Sequence, residues 1–304
     1  MSLSGRTKLS YHSIKRAAII AGIALFTLLV IVTAIAWWQG RRMPDGRPDY
    51  VALGSSFAAG AGLGRLAQGS PLLCARSVNG YPQQLARMRQ LAIVDMSCGG
   101  AVTPNLLRGG QFFQGPQIRT ITSATKLVTI TVGGNDIGYI GDLSMLAARR
   151  TGTVFGRLVR WFWQGPKPPG DRAYPALQRE LTATVDAIHR LAPRATVVLA
   201  TYPAIVPRAG TCARIGLTEA EAGLMRQVGD QLAAVTRSVA SQTGSVLVDM
   251  HVLGAQHDAC SGRPWTAGWA NASVAPFHPT LAGAKATAAA ISAALDQRPS
   301  QPAR

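Results

Sequence analysis

Acidic residues are scarce in this chain. Asp and Glu total 14 against 31 Lys and Arg, a formal net charge of +17 over 304 residues. Lysine is scarce too: only Lys8, Lys15, Lys126, Lys167 and Lys285 occur, so arginine carries the charge. A basic balance invites a nucleic-acid partner. The arginines are scattered, however, and no aromatic-basic motif accompanies them, which argues against that partner. An anionic membrane surface or an acidic envelope polymer suits the charge better, beside the plain alternative of an arginine-rich composition with no partner behind it. Charged residues of all kinds reach only 15% against 47% hydrophobic, which excludes a disordered tail. The chain lacks any Cys-x-x-Cys pair, so a structural zinc is not expected. It also lacks a nucleotide loop. Gly60-x-Gly62-x-Gly64 puts Arg65 where a dinucleotide fingerprint needs its third glycine, and no Gly-Lys-Ser/Thr follows. There is no internal repeat.

Four cysteines are present, Cys74, Cys98, Cys212 and Cys260. In an exported chain an even count suggests two disulfides, for which three connectivities exist. Cys74 with Cys98 and Cys212 with Cys260 is favoured, because each pair closes one local loop. The export signal is residues 17–38, an apolar run without charge. A helix of that length spans about 33 Å, enough to cross a bilayer core. Arg6, Lys8, Lys15 and Arg16 precede it, Arg41, Arg42 and Arg47 follow it, and Trp37 and Trp38 fall where an interfacial aromatic belt would lie. A cleaved signal peptide is the rival, since Ala34-Ile35-Ala36 has the small-x-small cleavage pattern. The run is long for a signal segment, which favours an uncleaved anchor. Anchor or signal, the segment exports the domain behind it.

The organisation expected is therefore a cytoplasmic basic tail over 1–16, the anchor or signal segment over 17–38, a linker over 39–48, a folded domain over 49–296 and a polar tail over 297–304. Within the domain, short continuous Val/Ile/Leu-rich runs at 50–53, 91–96, 127–132, 196–200 and 246–249 read as strands buried on both faces. Amphipathic stretches at 81–90, 175–191, 219–243 and 279–295 read as helices, Pro175 and Pro279 suiting a first turn. The alternation implies an α/β fold with a parallel sheet covered by helices, and such sheets hold their sites at the strands' carboxyl ends. Residues 138–173 interrupt the pattern with Trp161-Phe162-Trp163 among Arg149, Arg150, Arg157 and Arg160. That mixture forms either an interfacial helix or lid, or an ordinary surface excursion whose aromatics pack on the core.

Three strand ends carry chemistry-bearing residues. The first runs into Gly54-Ser55-Ser56, the second into Cys98-Gly99-Gly100-Ala101, the third into Gly133-Gly134-Asn135-Asp136. A serine just past a strand end is a reachable nucleophile, and a glycine N–H with an Asn amide are donors suited to an oxyanion. Near the end of the chain, His278 in Phe277-His278-Pro279-Thr280 is placed to serve as a base. His251 and His257 near Asp249 and Asp258 have irregular spacing behind one strand, so no metal site is expected.

In this order the motifs resemble the SGNH hydrolases, also called GDSL esterases/lipases, from about residue 50 to 295. The resemblance implies a flavodoxin-like three-layer α/β/α sandwich and hydrolysis of acyl esters of lipids, sugars or small molecules, with no cofactor. It implies Ser56 as nucleophile, the Ser56 and Gly100 N–H groups and the Asn135 side chain as oxyanion hole, and His278 as general base. A Cys98 disulfide would stiffen the Gly100 loop. Two departures stand out. The family's Gly-Asp-Ser reads Gly54-Ser55-Ser56, leaving Ser55 and Ser56 as rival nucleophiles, of which the turn alignment prefers Ser56. The family's acid, three residues before the histidine, is replaced by Ala275, so His278 must be oriented by a backbone carbonyl of the 265–276 loop or by Asp258. The expectation is a monomeric, exported serine esterase that forms an acyl-enzyme on a lipid ester or an O-acylated polysaccharide. An acyltransferase of the same fold, or a catalytically weak envelope-binding domain, is the alternative.

Overall fold

The structure is a computed structural model and describes residues 11–44, 46, 48–270 and 274–297. Arg6, Lys8 and Arg47, the first ten residues of the expected basic tail and residues 298–304 of the polar tail lie outside the described residues.

Helix α1 (Tyr11–Arg41) contains the apolar segment, with a stretch of mean hydropathy 2.8 over Ala18–Arg41. Its large apolar side chains from Ile19 to Val32 are exposed, so the domain's core does not bury them. The helix runs on into the expected linker to Arg41. There Arg119 Nη2 donates to the Gly40 and Arg42 carbonyls at 3.2 and 3.0 Å, and the Leu72 N–H reaches Gln39 Oε1 at 3.1 Å. Gly40 lies so close to the Phe112–Phe113 backbone that a Cβ would overlap it. The helix end is thus seated on the domain rather than joined by a loose tether.

The domain is built on five parallel strands, β1 (Tyr50–Gly54), β2 (Ile93–Asp95), β3 (Leu127–Thr131), β4 (Thr196–Ala200) and β5 (Val246–Val248), in the order β2-β1-β3-β4-β5. That is the flavodoxin-like order, whose direction reverses between β1 and β3. Every residue of β1 and β3 is buried, as strands covered on both faces must be. Alternation sends Val51 and Leu53 to one layer with Leu143, Leu181, Val185 and Leu232, and Tyr50 and Ala52 to the other with Leu85, Ala284, Ala288 and Ile291. The first layer is made by α4 (Thr103–Arg108), α5 (Tyr139–Ala148), α7 (Tyr174–Leu191) and α8 (Glu219–Thr243), the second by α3 (Tyr81–Arg89) and α10 (Leu281–Asp296). Short helices α2 (Ser56–Ala59) and α9 (Met250–Leu253) follow β1 and β5, and α6 (Val154–Phe162) follows α5.

Several expected boundaries move, each for a local reason. β2 is shorter than 91–96 because Asp95 Oδ1 accepts from Ser97 N and Oγ at 3.0 and 2.6 Å, turning the chain. β5 stops before Asp249, whose carboxylate caps α9 by accepting the Val252 N–H at 3.3 Å. Helix α10 starts at Leu281 and not at Pro279: Thr280 is its cap, accepting from Gly283 N at 3.1 Å, while Pro279 bridges to Thr266. The 219–243 helix is observed as expected, with Thr218 and Glu221 forming a capping box.

Disulfides join Cys74 to Cys98 and Cys212 to Cys260. Each closes the local loop expected, 24 and 48 residues apart in sequence. Loops of that size contribute on the order of 3–4 kcal/mol by restricting the unfolded chain.

Candidate active site

Gly54 ends β1 with φ +137°, and a Cβ there would fall on the Thr131 carbonyl oxygen of the neighbouring strand. Only glycine fits. Its peptide is held from three sides. Gln117 is fully engaged, accepting the Gly54 N–H at 2.8 Å and donating to the Gly54 carbonyl at 3.0 Å. The same carbonyl accepts from Cys98 N at 3.0 Å, and Ser55 N donates to Thr131 O at 3.0 Å. The turn that carries the two serines is therefore fixed before either side chain is considered.

The serines then point to different surroundings. Ser55 is fully buried, and its Oγ shares a 2.7 Å hydrogen bond with the Tyr202 hydroxyl. That phenol also accepts the Gly134 N–H at 3.3 Å, and burial holds its pKa well above the ordinary range. Ser56 opens α2, and its Oγ lies 2.8 Å from His278 Nε2.

His278 is oriented by the main chain. Its Nδ1 lies 2.8 Å from the Pro276 carbonyl. A carbonyl can only accept, so Nδ1 carries the proton and Nε2 presents its lone pair to the Ser56 hydroxyl. The backbone around it is strained and locked: Phe277 has φ +58° with its side chain fully buried, the His278 N–H donates to Ala275 O at 3.2 Å, and Ala267 N donates to the His278 carbonyl at 2.9 Å. Gly62 abuts Ala275, where a Cβ on the glycine would overlap the Ala275 nitrogen. Burial lowers the His278 pKa below the ordinary value, and the Pro276 hydrogen bond opposes this more weakly.

The expectation of Asp258 as an orienter of His278 is corrected here. The Asp258 carboxylate turns back on its own loop and accepts the Cys260 N–H at 2.7 Å. Asp258→Asn is expected to lower kcat/KM less than about tenfold, whereas loss of an orienting acid costs about 10⁴. Ester turnover by the purified variant checks this, and a loss of the larger size would return Asp258 to the site. The other side chains weighed as metal ligands have separate partners as well. His251 Nε2 pairs with Asp230 at 2.8 Å, His257 Nδ1 meets the Arg263 carbonyl at 2.9 Å, and Asp249 pairs with Arg237 at 2.6 Å.

The expected oxyanion donors lie in the turns that follow β1, β2 and β3. Gly100 has φ +77°, and neither its N–H nor that of Ser56 meets a backbone acceptor among the described residues. The Asn135 amide donates one N–H to the Ala101 carbonyl at 2.9 Å, which leaves its second N–H available beside the Gly100 peptide. Two further contacts set that peptide. Gln111 Nε2 donates to the Gly99 carbonyl, and Gly99 N donates to the Cys74 carbonyl at 2.9 Å, next to the disulfide. Asp136 ties the Asn135 loop to the same region by accepting the Thr103 N–H at 2.9 Å and the Thr103 hydroxyl. Its own carboxyl pKa is pushed up by burial.

A hydroxyl–imidazole pair lies just past the carboxyl end of β1, and the turns after β2 and β3 that carry Gly100 and Asn135 are hydrogen-bonded to each other. The sequence matches the GDSL-like Lipase/Acylhydrolase family over residues 52–286. The chain belongs to that family. It is an ester-hydrolysing enzyme of the SGNH type. A lipase of Streptomyces rimosus is 30% identical over 272 residues, covering 88% of this chain and 94% of the relative. The crystal structure of the extracellular lipase from that organism superposes with a TM-score of 0.64, covering 81% of this chain and 98% of the lipase. A phospholipase A1 from Streptomyces albidoflavus superposes equally, with a TM-score of 0.64 at 28% identity over 80% of this chain and 98% of its own.

Gln117, Gln111 and Tyr202 carry no signal in the sequence that marks them as parts of this SGNH site, whereas the Pro276 carbonyl lies within the 265–276 loop expected to orient His278. Gln117 and Tyr202 sit far along the chain from the turn they hold, so no local pattern marks them. The carbonyl of Pro276 belongs to the main chain, and any residue would supply it.

Proposed function

We propose that residues 49–296 form the hydrolase domain of an exported, membrane-anchored serine esterase whose substrate is a lipid acyl ester. The observation that carries the chemistry is the 2.8 Å approach of His278 Nε2 to Ser56 Oγ with Nδ1 committed to the Pro276 carbonyl. Ser56 Oγ attacks the ester carbonyl as His278 Nε2 takes its proton. The oxyanion that forms is met by the Ser56 and Gly100 N–H groups and the Asn135 amide. On collapse, the carbon–oxygen bond to the alcohol breaks and the imidazolium returns the proton to the leaving oxygen. The acyl group remains on Ser56 until water, deprotonated by the same imidazole, releases it as the carboxylic acid. No carboxylate is hydrogen-bonded to His278 among the described residues, so the imidazolium is stabilised by the Pro276 dipole.

A lipid ester is favoured over an O-acylated polysaccharide because the relatives that span most of this chain are named as lipases and a phospholipase A1. Export is supported by the two disulfides, which persist in oxidising compartments, and by the exposed apolar helix α1.

The test is a pH profile of nitrophenyl-ester hydrolysis by the full chain in detergent, together with His278→Ala. The base works only when neutral. Because burial lowers its pKa, kcat/KM is expected to rise with pH through a midpoint below the ordinary histidine value of 6.5 and to stay level above it. A midpoint at or above that value, or an acid limb that persists in His278→Ala, would sink the assignment of the base.

A further inference from the structure

Helix α6 presents an apolar face to solvent. Val154, Phe155, Leu158, Trp161 and Phe162 fall at i, i+1, i+4, i+7 and i+8, within one sector of the helix. All five are exposed, Trp161 and Phe162 at 77%. The opposite face is already satisfied. Gly156 and Val159 are buried, and Gly156 is pressed so closely onto Ala148 and Thr151 that no side chain would fit. The helix is also well begun, Thr153 capping it by accepting the Gly156 N–H at 3.0 Å. Of the three aromatics at 161–163, only Trp163 packs on the core, with Arg149 over its ring at 5.7 Å. An apolar stripe of this size on a firmly seated helix is a contact surface without its partner.

The charge says what the partner is. Between Asp142 and Asp171 the chain has no acidic residue, and it carries Arg149, Arg150, Arg157, Arg160 and Lys167. Arg149 and Arg150 are paired with Glu221, while Arg157, beside the stripe, makes no ion pair among the described residues. A stripe of Trp, Phe and Leu rimmed by arginine is the pattern of a helix lying in a headgroup layer. The excursion leaves and rejoins the domain beside the end of β3, where buried Arg172 donates to the Ile137 carbonyl and pairs with Asp142 at 2.7 Å. It therefore belongs to the end of the sheet that holds Ser56. The seating of α1 on the domain through Gln39, Gly40 and Arg42 keeps the domain close to any bilayer that α1 crosses, so the second contact forms within one molecule and needs little affinity of its own.

We propose that α6 is a second membrane contact, lying in the outer leaflet of the bilayer that α1 crosses, with Arg157 on anionic lipid phosphates. This rests on the reading of α1 as an anchor. The test uses the full chain in nanodiscs of phosphatidylglycerol and phosphatidylcholine, with a fluorophore on one introduced cysteine, the four native cysteines being disulfide-bonded. Three sites are compared: Phe162→Cys on α6, Leu28→Cys inside α1, and Ser241→Cys near the end of α8, at the opposite pole of the sheet. With spin-labelled lipid added, the labels at 28 and 162 are expected to lose about half their fluorescence or more, and the label at 241 to keep it. Quenching at 28 with none at 162 would overturn the proposal and leave the anchor standing. No quenching at 28 would remove the anchor reading and the proposal with it. Energy transfer between copies labelled at 162, without lipid quenching, would assign the stripe to a second copy and overturn the membrane contact.

Discussion

Ser56→Ala is expected to abolish ester hydrolysis, with kcat falling by roughly 10⁴ to 10⁶, because a lone catalytic hydroxyl has no substitute in the site. The fold should be untouched, since the side chain's hydrogen bond is to His278 and not to the frame of the domain. Ser55→Ala is the informative partner. It breaks the buried bond to Tyr202, so a stability loss of about 1–3 kcal/mol is expected, yet the variant should keep most of its activity. A serine-reactive phosphonate probe followed by peptide mapping gives the same answer independently. Label on Ser55, or full activity in Ser56→Ala, would overturn the assignment of the nucleophile.

Gly54→Ala should be the most damaging single methyl in the domain. It asks a residue with a Cβ to hold φ +137° and places that Cβ on the Thr131 carbonyl. The strand cannot move away, because Gln117 and the Cys98 N–H hold the Gly54 peptide from the other side. A destabilisation above about 3 kcal/mol is expected, combining strain with a displaced strand pairing. Urea unfolding followed by far-UV circular dichroism checks it, and a midpoint like that of the parent would show that the turn is more compliant than its contacts imply. Gln117→Ala should fall between the two, since it leaves the Gly54 N–H without its buried acceptor.

The strands were legible where burial on both faces writes an unbroken apolar run, as in 127–132 and 196–200. They were misjudged at their ends, where a single polar side chain turns the backbone. Asp95 and Asp249 each stop a strand by accepting N–H groups two or three residues on, and that preference competes with extension in a way that apolar runs do not reveal. Within 138–173 the sequence left an interfacial helix and a surface excursion both open, because the apolar residues of α6 face outward and write no core stripe. Within the site, Ser56, Gly100, Asn135 and His278 stood out because each follows a strand end or precedes a helix. What orients them did not, since Gln117 and Tyr202 act across 63 and 147 residues of chain. Of the two candidates offered for holding His278, a main-chain carbonyl and Asp258, the chain's path chose the carbonyl.

That choice alters how the site tolerates genetic change. An orienting aspartate can be lost through any of several single-base substitutions in one codon. The acceptor that His278 uses is the carbonyl of residue 276, and every amino acid supplies one. Mutations can disturb it only by rerouting the 274–280 turn, through residues such as Phe277 that pin an unfavourable backbone angle in place. The imidazole's tautomer is thus inherited with the shape of a loop. A saturation scan of Ala275 to Pro279 should find position 276 permissive and position 277 intolerant, the reverse of the profile that a side-chain acid would leave.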